Sequence, residues 1–555
     1  MPGIYGYTKS QVSDNFLPLM TSSLCEITST NSNDEINDDL IQTSHLFLTN
    51  SNSEQISSNG IHVLIEGEKY NYSNISFKQL LTEAYLTGQL KSVLAEIDGL
   101  FNALIYDNVT KKIHLISDRY GMKFLYYCFE NQRLSWSQEV KALLALPFIS
   151  KDVDPIAVDS FLELGYVLED RSLFSNIKLI KPASIMTFDL STKTLTEEHY
   201  WKWSAIKSRD ITFEQATEEL GKLFLDAVKK RFDSSKKMGI TLSGGLDSRA
   251  IVAAVTTLYP DYKGTLSTFG IEGCDDIEIA KIVARKTNWN HKIYHFKAHN
   301  WFEPRFDSIW RTDGMLSMEH MHGSEFLDDI AKEANINLNG YAGDVVCGGG
   351  WFKLLPLNTR AKAEGMRLFY KNQTDKTHFD SDFYDLDKSE PHLFMNRVRR
   401  FTNMGTVNSL DKIEQRKPFF DNALMEFALS IPDEYRKDNK LYAAMLLKFF
   451  PDFFTDIPWQ KTRKTILGEQ SQYLKSENII RGYINYAREI REDSILTKIN
   501  DLLSVKGSKY SEFTDIDAIE EYLTPHLVSF KYNYVSEIFR FLTLEYYLRK
   551  VATLS

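Results

Sequence analysis

Four cysteines in 555 residues is a small complement, and no two of them form a CxxC pair. Cys25, Cys128, Cys274 and Cys347 are scattered, which supports neither a zinc site nor a disulfide framework. A reducing compartment, the cytoplasm, is the expectation. Long apolar runs are missing too. Nothing approaches the roughly 18–20 consecutive apolar residues of a membrane span. The opening "MPGIYGYTKSQVSDNF" lacks the basic stretch and apolar core of a secretory signal. Positive charge is not in excess. A net charge of −10 disfavours a general nucleic-acid binder, and the basic blocks "KRFDSSKKMG" and "NRVRRF" read as solvated faces. The chain does have length, with 43% hydrophobic and 25% charged residues, enough for more than one core.

The text changes character near residue 205. Before it, residues 28–60 are rich in Ser, Asn and acids and read as loops between short strands. They are followed by "HVLIEG", "FNALIYD", "KIHLISD", "KFLYYCFE" and "RLSWSQ", short β-rich runs separated by turn residues. After it, Thr212 and Gln215 have capping-box spacing and apolar residues recur at helical spacing as far as Phe232. Helices then alternate with the apolar runs "MGITL", "GTLSTFGI", "HKIYHF" and "INLNG", the pattern of a parallel α/β sheet. Further helices are expected over 353–555. Two domains follow, 1–205 and 206–555.

The run Ser243-Gly-Gly-Leu-Asp-Ser248 lies where the strand "MGITL" ends and the helical "DSRAIVAAVTTLY" begins, the ligand edge of a parallel sheet. A helix N-terminus attracts an anion there, and glycine lets the backbone come close to it. The run is neither of the common phosphate loops, since GKS/GKT and GxGxxG are both absent. It carries an acid, Asp247, which would repel bare phosphate and makes sense with Mg²⁺ between them.

SGGLDS resembles the pyrophosphate loop of the N-type ATP pyrophosphatases, which cleave ATP between the α and β phosphates and transfer AMP to an oxygen. Relatives with this loop include asparagine synthetases, β-lactam synthetases, lasso-peptide cyclases, NAD and GMP synthetases and tRNA-thiolating enzymes. The remaining motifs are similar to those of the asparagine synthetase group along nearly the whole chain. The resemblance implies that Leu242, Ser243, Gly244, Gly245, Asp247 and Ser248 hold ATP. In "FGIEGCDDIEIAKIVARKTNWNH", Phe269 would flank the nucleotide and Asp276 would face the pyrophosphate. "LNGYAGDVVCGGG" resembles the family's SGxGxDExxGG signature, which puts Asn339 and Gly340 beside ATP and makes Asp344 the second Mg²⁺ ligand. Val345 replaces the usual Glu. "IEQRKPFFDNALMEFALSIP" is similar to a buttressing ExRxPFxD segment, with Arg416, Pro418 and Asp421 in structural roles. "IPWQKTRKTI" sits where the family places a catalytic lysine, Lys461 as first choice and Lys464 as second.

The N-terminal half resembles the family's glutaminase, a class II amidotransferase domain of Ntn-hydrolase-like fold, through "LAEIDGLFNALIYD", "SDRYGMKFLYY", "LSWSQEVKALLAL" and "LELGYVLEDRSLFSNIKLIKPAS". Its catalytic pieces differ. Pro2 stands where active members have a nucleophilic cysteine. "EGEKYN" places Glu66 where NGEIYN supplies an oxyanion-binding asparagine, and a carboxylate repels an oxyanion. The D-T-E triplet becomes Leu81-Thr82-Glu83, and an RGPD-like run is missing. The expectation is a retained but inactive glutaminase.

What the resemblance implies is an ATP-dependent, AMP-forming ligase. A substrate carboxylate attacks the α-phosphate, Lys461 stabilises the developing charge, and ammonia or a substrate amine completes the amide. Tyr341 matches a position where β-lactam-forming relatives use Tyr with an acid partner as base. The matching helix offers Arg399 and Arg400 but no acid, so base and plain packing both stay open for Tyr341. ATP and Mg²⁺ are the implied cofactors. The partners are a small-molecule or peptide carboxylate and an amine or ammonia, without nucleic acid or membrane, and a homodimer is kept open. Lasso-peptide or β-lactam-type cyclisation is one alternative, a nucleotide-binding relative without turnover is another, and absent cysteine pairs count against tRNA thiolation.

Overall fold

A computed structural model describes every residue except 25–29, 33–35, 49–56, 59, 298–299, 354–369, 371–381, 387, 475–481, 505 and 555. Cys25 lies outside the described residues. Cys128, Cys274 and Cys347 are buried and free of disulfides. No described helix is long and apolar enough to cross a membrane.

The strands between Gly3 and His199 form two antiparallel sheets. One joins Gly3–Thr8 to Ile41–Leu48 on one side and to Arg133–Ser137 on the other. The second is built around Ile61–Lys69, Gly99–Asp107 and Lys112–Ser117. Their inner faces share a core in which Ile4, Ile41 and Trp136 meet Leu64, Leu104 and Leu115. Helices Phe77–Leu86 and Leu90–Glu96 bury Leu81 and Leu94 in a different core. This sheet-on-sheet sandwich is the Ntn-hydrolase-like arrangement that the resemblance implies. Two of its inner strands escape the alternation signal. Gly3–Thr8 carries two glycines, and Ile41–Leu48 is buried on both faces despite Gln42, Thr43, Ser44 and His45.

The helix Phe213–Arg231 opens the second half with the expected capping box. Thr212 Oγ1 accepts the Gln215 N–H and Gln215 Oε1 accepts the Thr212 N–H. Five parallel strands follow in the order Asn290–His295, Thr265–Gly270, Met238–Thr241, Ile336–Leu338, Glu414–Arg416. Met238–Thr241 is central. The chain first winds outward from it in one direction and then returns to its other side. The switch point therefore falls between Met238–Thr241 and Ile336–Leu338, where crossovers leave a crevice at the carboxyl ends.

The basic blocks are solvated only in part, at the exposed Lys237 and the half-buried Lys230, Lys236 and Arg397. Arg231, Arg399 and Arg400 are all buried. Arg231 pairs with Asp98 of the first half and Asp421 of the second, each at 2.9 Å. Burial opposes the charge on Asp421, but Arg231 outweighs it and holds this carboxyl well below the usual range. Arg416 reaches Glu68 across the same seam at 2.5 Å, and Asn403 Nδ2 donates to Met122 O at 2.9 Å. Arg416 and Asp421 of the ExRxPFxD-like segment thus join the two halves. Replacing Arg231 by Met leaves Asp98 and Asp421 with only the half-buried Lys230, at 3.9 and 3.3 Å, and is expected to cost about 3 kcal/mol. Thermal unfolding of R231M should show its first transition several degrees lower, and an unchanged transition would remove this pair from the seam's stability.

Candidate functional site

The sheet's handedness and order place two acid-bearing loops side by side. Ser243–Ser248 leaves the central strand, and Asn339–Asp344 leaves its neighbour Ile336–Leu338. The first loop is tied down from within. Ser248 Oγ accepts the Ser243 N–H at 3.1 Å, and Ser243 Oγ accepts the Gly245 N–H at 3.2 Å. Asp276 Oδ1 accepts the Gly244 N–H at 2.8 Å. The helix Leu246–Leu258 then starts at Gly245 with no side chain capping it, so its first-turn N–H groups keep their affinity for an anion.

The loops touch through glycine. A Cβ on Gly340 would lie 2.5 Å from the Ser248 nitrogen, and one on Gly343 would lie 2.7 Å from Asp247 Cγ. Asp247 Oδ2 accepts the Asp344 N–H at 3.0 Å, and Asp247 Oδ1 accepts the Tyr442 hydroxyl at 3.0 Å. Ala342 adopts the left-handed region, φ 65°, at the position the SGxGxDE signature fills with glycine.

A cavity of about 510 Å³ opens at this edge. Of the sequence-derived residues, Ser243, Gly245, Asp247, Ser248, Phe269, Asn339, Gly340, Asp344 and Lys461 line it. Leu242 and Gly244 support the loop from behind, and Asp276 buttresses it through Gly244. Lys464 is absent from the lining, and its carbonyl instead accepts the Trp459 N–H at 2.8 Å. Tyr341 stands apart from these lining residues. It is buried away from the cavity, its hydroxyl donates to Val398 O at 2.6 Å, and its ring packs on Phe420. Burial holds its pKa well above the ordinary phenol value. Packing is the role its surroundings fit.

Three contributors escaped the sequence reading. Arg249, fully buried, donates through Nη2 to Gly244 O and Pro458 O, at 3.2 and 2.6 Å, and through Nη1 to Ile457 O, so it pins the Lys461 segment to the loop. A lone arginine in an otherwise apolar helix was the available signal. Gln415 accepts from the side chains of Asn337 and Asn339 at 2.9 and 3.0 Å. Tyr442 reads as core in "KLYAAMLLKFF", and nothing in that spacing reveals its bond to Asp247.

Electrostatics define what the cavity asks for. Desolvation and the charge of Asp344 push Asp247 up to about 8. Desolvation also raises Asp344, opposed first by Lys461. Two oxygen donors that resist ionising together fit a hard divalent cation, and each carboxylate oxygen keeps a second lone pair beside its existing bond. No described group of three His, Cys, Asp or Glu could hold a metal. Asp247 and Asp344 are the two carboxylates that could hold such a cation here.

A model of the glutamine amidotransferase domain matches residues 49–201, and a model of asparagine synthase matches residues 219–408. The chain belongs to the asparagine synthetase family. Glutamine-hydrolyzing asparagine synthetase 3 of Bacillus subtilis is 23% identical over 514 residues, 83% of this chain and 82% of its own length. Synthetase 1 of the same organism is 22% identical over 452 residues, 69% and 70% of the two chains. A Methanocaldococcus jannaschii protein assigned to the same type is 28% identical over 311 residues, 53% of this chain and 60% of that protein. This family places the chain among the carbon–nitrogen ligases.

In the amidotransferase half a smaller cavity, about 150 Å³, is lined by Pro2, His45, Glu66 and Lys123. Glu66 accepts from Lys123 at 2.9 Å and lies 3.1 Å from His45 Nε2. Burial opposes the Glu66 charge, yet Lys123 and His45 outweigh it and hold the carboxyl at about 2. No described lining residue carries a thiol. Glu83, from the Leu81-Thr82-Glu83 triplet, instead accepts from Gln79 on its own helix.

The loop contact yields a paired prediction. Ala342→Gly relieves a left-handed alanine and is expected to raise stability by about 0.5–1 kcal/mol. Gly340→Ala drives a methyl into the Ser248 backbone and should lower stability by about 1–3 kcal/mol. Calorimetric unfolding of both variants checks the signs, and equal midpoints would show that the loops do not press together.

Proposed function

We propose that this member of the family activates a carboxylate with ATP, releases pyrophosphate, and forms an amide without drawing nitrogen from glutamine. The observation that carries the first part is the convergence of Asp247 and Asp344, from loops 97 residues apart, in one cleft with Lys461 at its rim. In this reading Ser243–Ser248 and the uncapped helix start receive the pyrophosphate, and Phe269 flanks the nucleotide. Asp247 and Asp344 would hold Mg²⁺, which when bound supplies the positive charge that offsets the phosphates. A substrate carboxylate oxygen attacks the α-phosphorus as the α–β bridging bond breaks. The nitrogen of ammonia or of a substrate amine then attacks the acyl carbon, loses a proton, and AMP leaves. Lys461 stabilises charge on the phosphoryl group and the tetrahedral carbon. Tyr341 takes no part.

The second part rests on the Glu66 pairing. A glutaminase needs a nucleophile and oxyanion donors. The small cavity instead presents Pro2 and an anionic carboxylate.

ATP–pyrophosphate exchange tests the proposal. A carboxylate-dependent exchange is expected, and aspartate, peptides and small amino acids form the first panel. Asp247→Asn should lower exchange at least about 100-fold, near 2.7 kcal/mol, and Lys461→Met should have a similar effect. Exchange that persists in D247N overturns the Mg²⁺ assignment. ATP binding with no exchange across the panel would leave a nucleotide-binding protein without turnover. Ammonia released from glutamine by the purified chain would refute the glutamine-independent reading.

A further inference from the structure

A second cavity, about 490 Å³, lies between the two halves and shares no lining residue with the Asp247 cleft. One wall comes from residues 154–182 and the other from residues 383–399, together with His199. The helical run from Glu390 to Val407 serves both cavities. Asn396 and Arg399 line this one, and Gly405 and Thr406 line the other. The part beside this cavity, Phe394–Thr402, is π-helical, a wound form that is frequent at functional sites.

Arg399 decides what the cavity can hold. It is 3% exposed, and its Nε and Nη2 donate to Gly121 O and Ile180 O, at 2.9 and 2.8 Å. Both acceptors are neutral, and no described carboxylate forms an ion pair with it. Asp118, the acid whose field reaches it, is committed to the backbone N–H groups of Tyr120, Met122 and Lys123. Arg400, also buried, is likewise held by carbonyls, those of Val167 and Arg171. Burial and the neighbouring Arg400 pull Arg399 down to about 10, the sign of an under-compensated cation. Across the cavity, Arg171 is already paired with Asp154 at 2.6 Å. Among the described lining residues, four are cationic and three are carboxylates, and Lys181 is paired behind the wall with Glu197 at 3.4 Å, so Arg399 is the buried cation of the lining that no described carboxylate pairs. Phe174, Ile177 and Met395 back the walls, and the half-buried Tyr384 ring supplies apolar surface.

We propose that this cavity is a binding site for a small organic monoanion, a carboxylate on an aromatic or branched apolar body, with Arg399 receiving the carboxylate. A carboxylate brings the guanidinium a full opposite charge, which the neutral carbonyls it already binds do not supply. The three wall carboxylates repel a second negative charge, which disfavours phosphates and nucleotides. A purely apolar guest would leave the guanidinium uncompensated. The volume falls in the range of small-molecule sites. Glu169, in the same wall, is held at φ 57° with its N–H donated to Asn396 Oδ1 at 2.8 Å, so the two walls are fixed against each other before any ligand arrives.

The test uses the full chain and phenylacetate. Titration calorimetry and thermal unfolding should show one saturable site and a raised midpoint. Phenethylamine, with the same body and opposite charge, and inorganic phosphate, an anion without the body, should do neither. ATP should not displace phenylacetate. Arg399→Met should abolish binding. Because that arginine also braces two carbonyls, two exposed positions keep the test decisive if R399M does not fold. Ser175→Trp should block the cavity, and Lys178→Glu should weaken binding by about fivefold, near 1 kcal/mol. No saturable binding of phenylacetate overturns the proposal. So does displacement by ATP, equal affinity for phosphate or phenethylamine, or unchanged binding in both S175W and K178E.

Discussion

Two carboxylates held side by side at one cleft, the half-buried Asp247 and the exposed Asp344, oppose each other's charge, and the C-terminal half is arranged so that they meet. The register of Met238–Thr241 against Ile336–Leu338 sets their loops side by side. Gly340 and Gly343 let the backbones close until Asp247 accepts a hydrogen bond from the Asp344 N–H. Every other feature of the cleft follows this contact. Tyr442 steadies Asp247, Arg249 draws the Lys461 segment in, and Asp276 fixes the loop through Gly244. None of these three supplies a cation at the carboxylates. The raised proton affinity of both acids records that deficit, and a divalent cation removes it more completely than a proton, because it serves two oxygens at once.

The same logic, buried charge met by a defined partner, joins the two halves. Arg231 stands between Asp98 and Asp421, Arg416 reaches Glu68, and Arg119 pairs with Glu426. One apolar core runs across the seam, from Leu81 and Phe101 to Phe419 and Leu424. An N-terminal half so placed contributes to the folding of the C-terminal half whether or not it performs chemistry. Removing it would expose that core and strand the buried arginines. Structural dependence of this kind would keep the amidotransferase scaffold in place on folding grounds alone.

Much of the fold was legible because its signals are local. The capping box at Thr212 and Gln215, the apolar strands ending in SGGLDS and NGYAGD, and the alternation of "FNALIYD" each declare an element without reference to its neighbours. The site was legible where function rests on backbone geometry, since glycine at 340 or an acid at 247 has few other uses. It was illegible where one residue's meaning depends on a distant partner. "NRVRRF" looks like a solvated basic face, and only the tertiary fold supplies the carbonyls of Gly121, Ile180 and Val167 that let Arg399 and Arg400 be buried. Tyr341 is ambiguous for the same reason. A phenol at a suggestive motif position leaves base and packing both open, and only the tertiary fold shows its hydroxyl committed to Val398 O.

In the proposed reading, the ion pair at Glu66 makes glutaminase chemistry hard to restore. Beside Lys123 and His45 it is a stable anion, held at about 2. Changing it to the asparagine of the active amidotransferases would leave Lys123 without its carboxylate. Breaking a buried pair in this way typically costs about 3–5 kcal/mol, a large part of a domain's stability. A lone reversion would therefore be penalised in folding before it offered anything in catalysis. It would also need a nucleophile in place of Pro2 at the same time. In the proposed reading the charge pairing in this cavity is what keeps the two halves from returning to glutamine as a nitrogen source, and it leaves the nitrogen to be delivered to the Asp247 cleft by the substrate or the solvent.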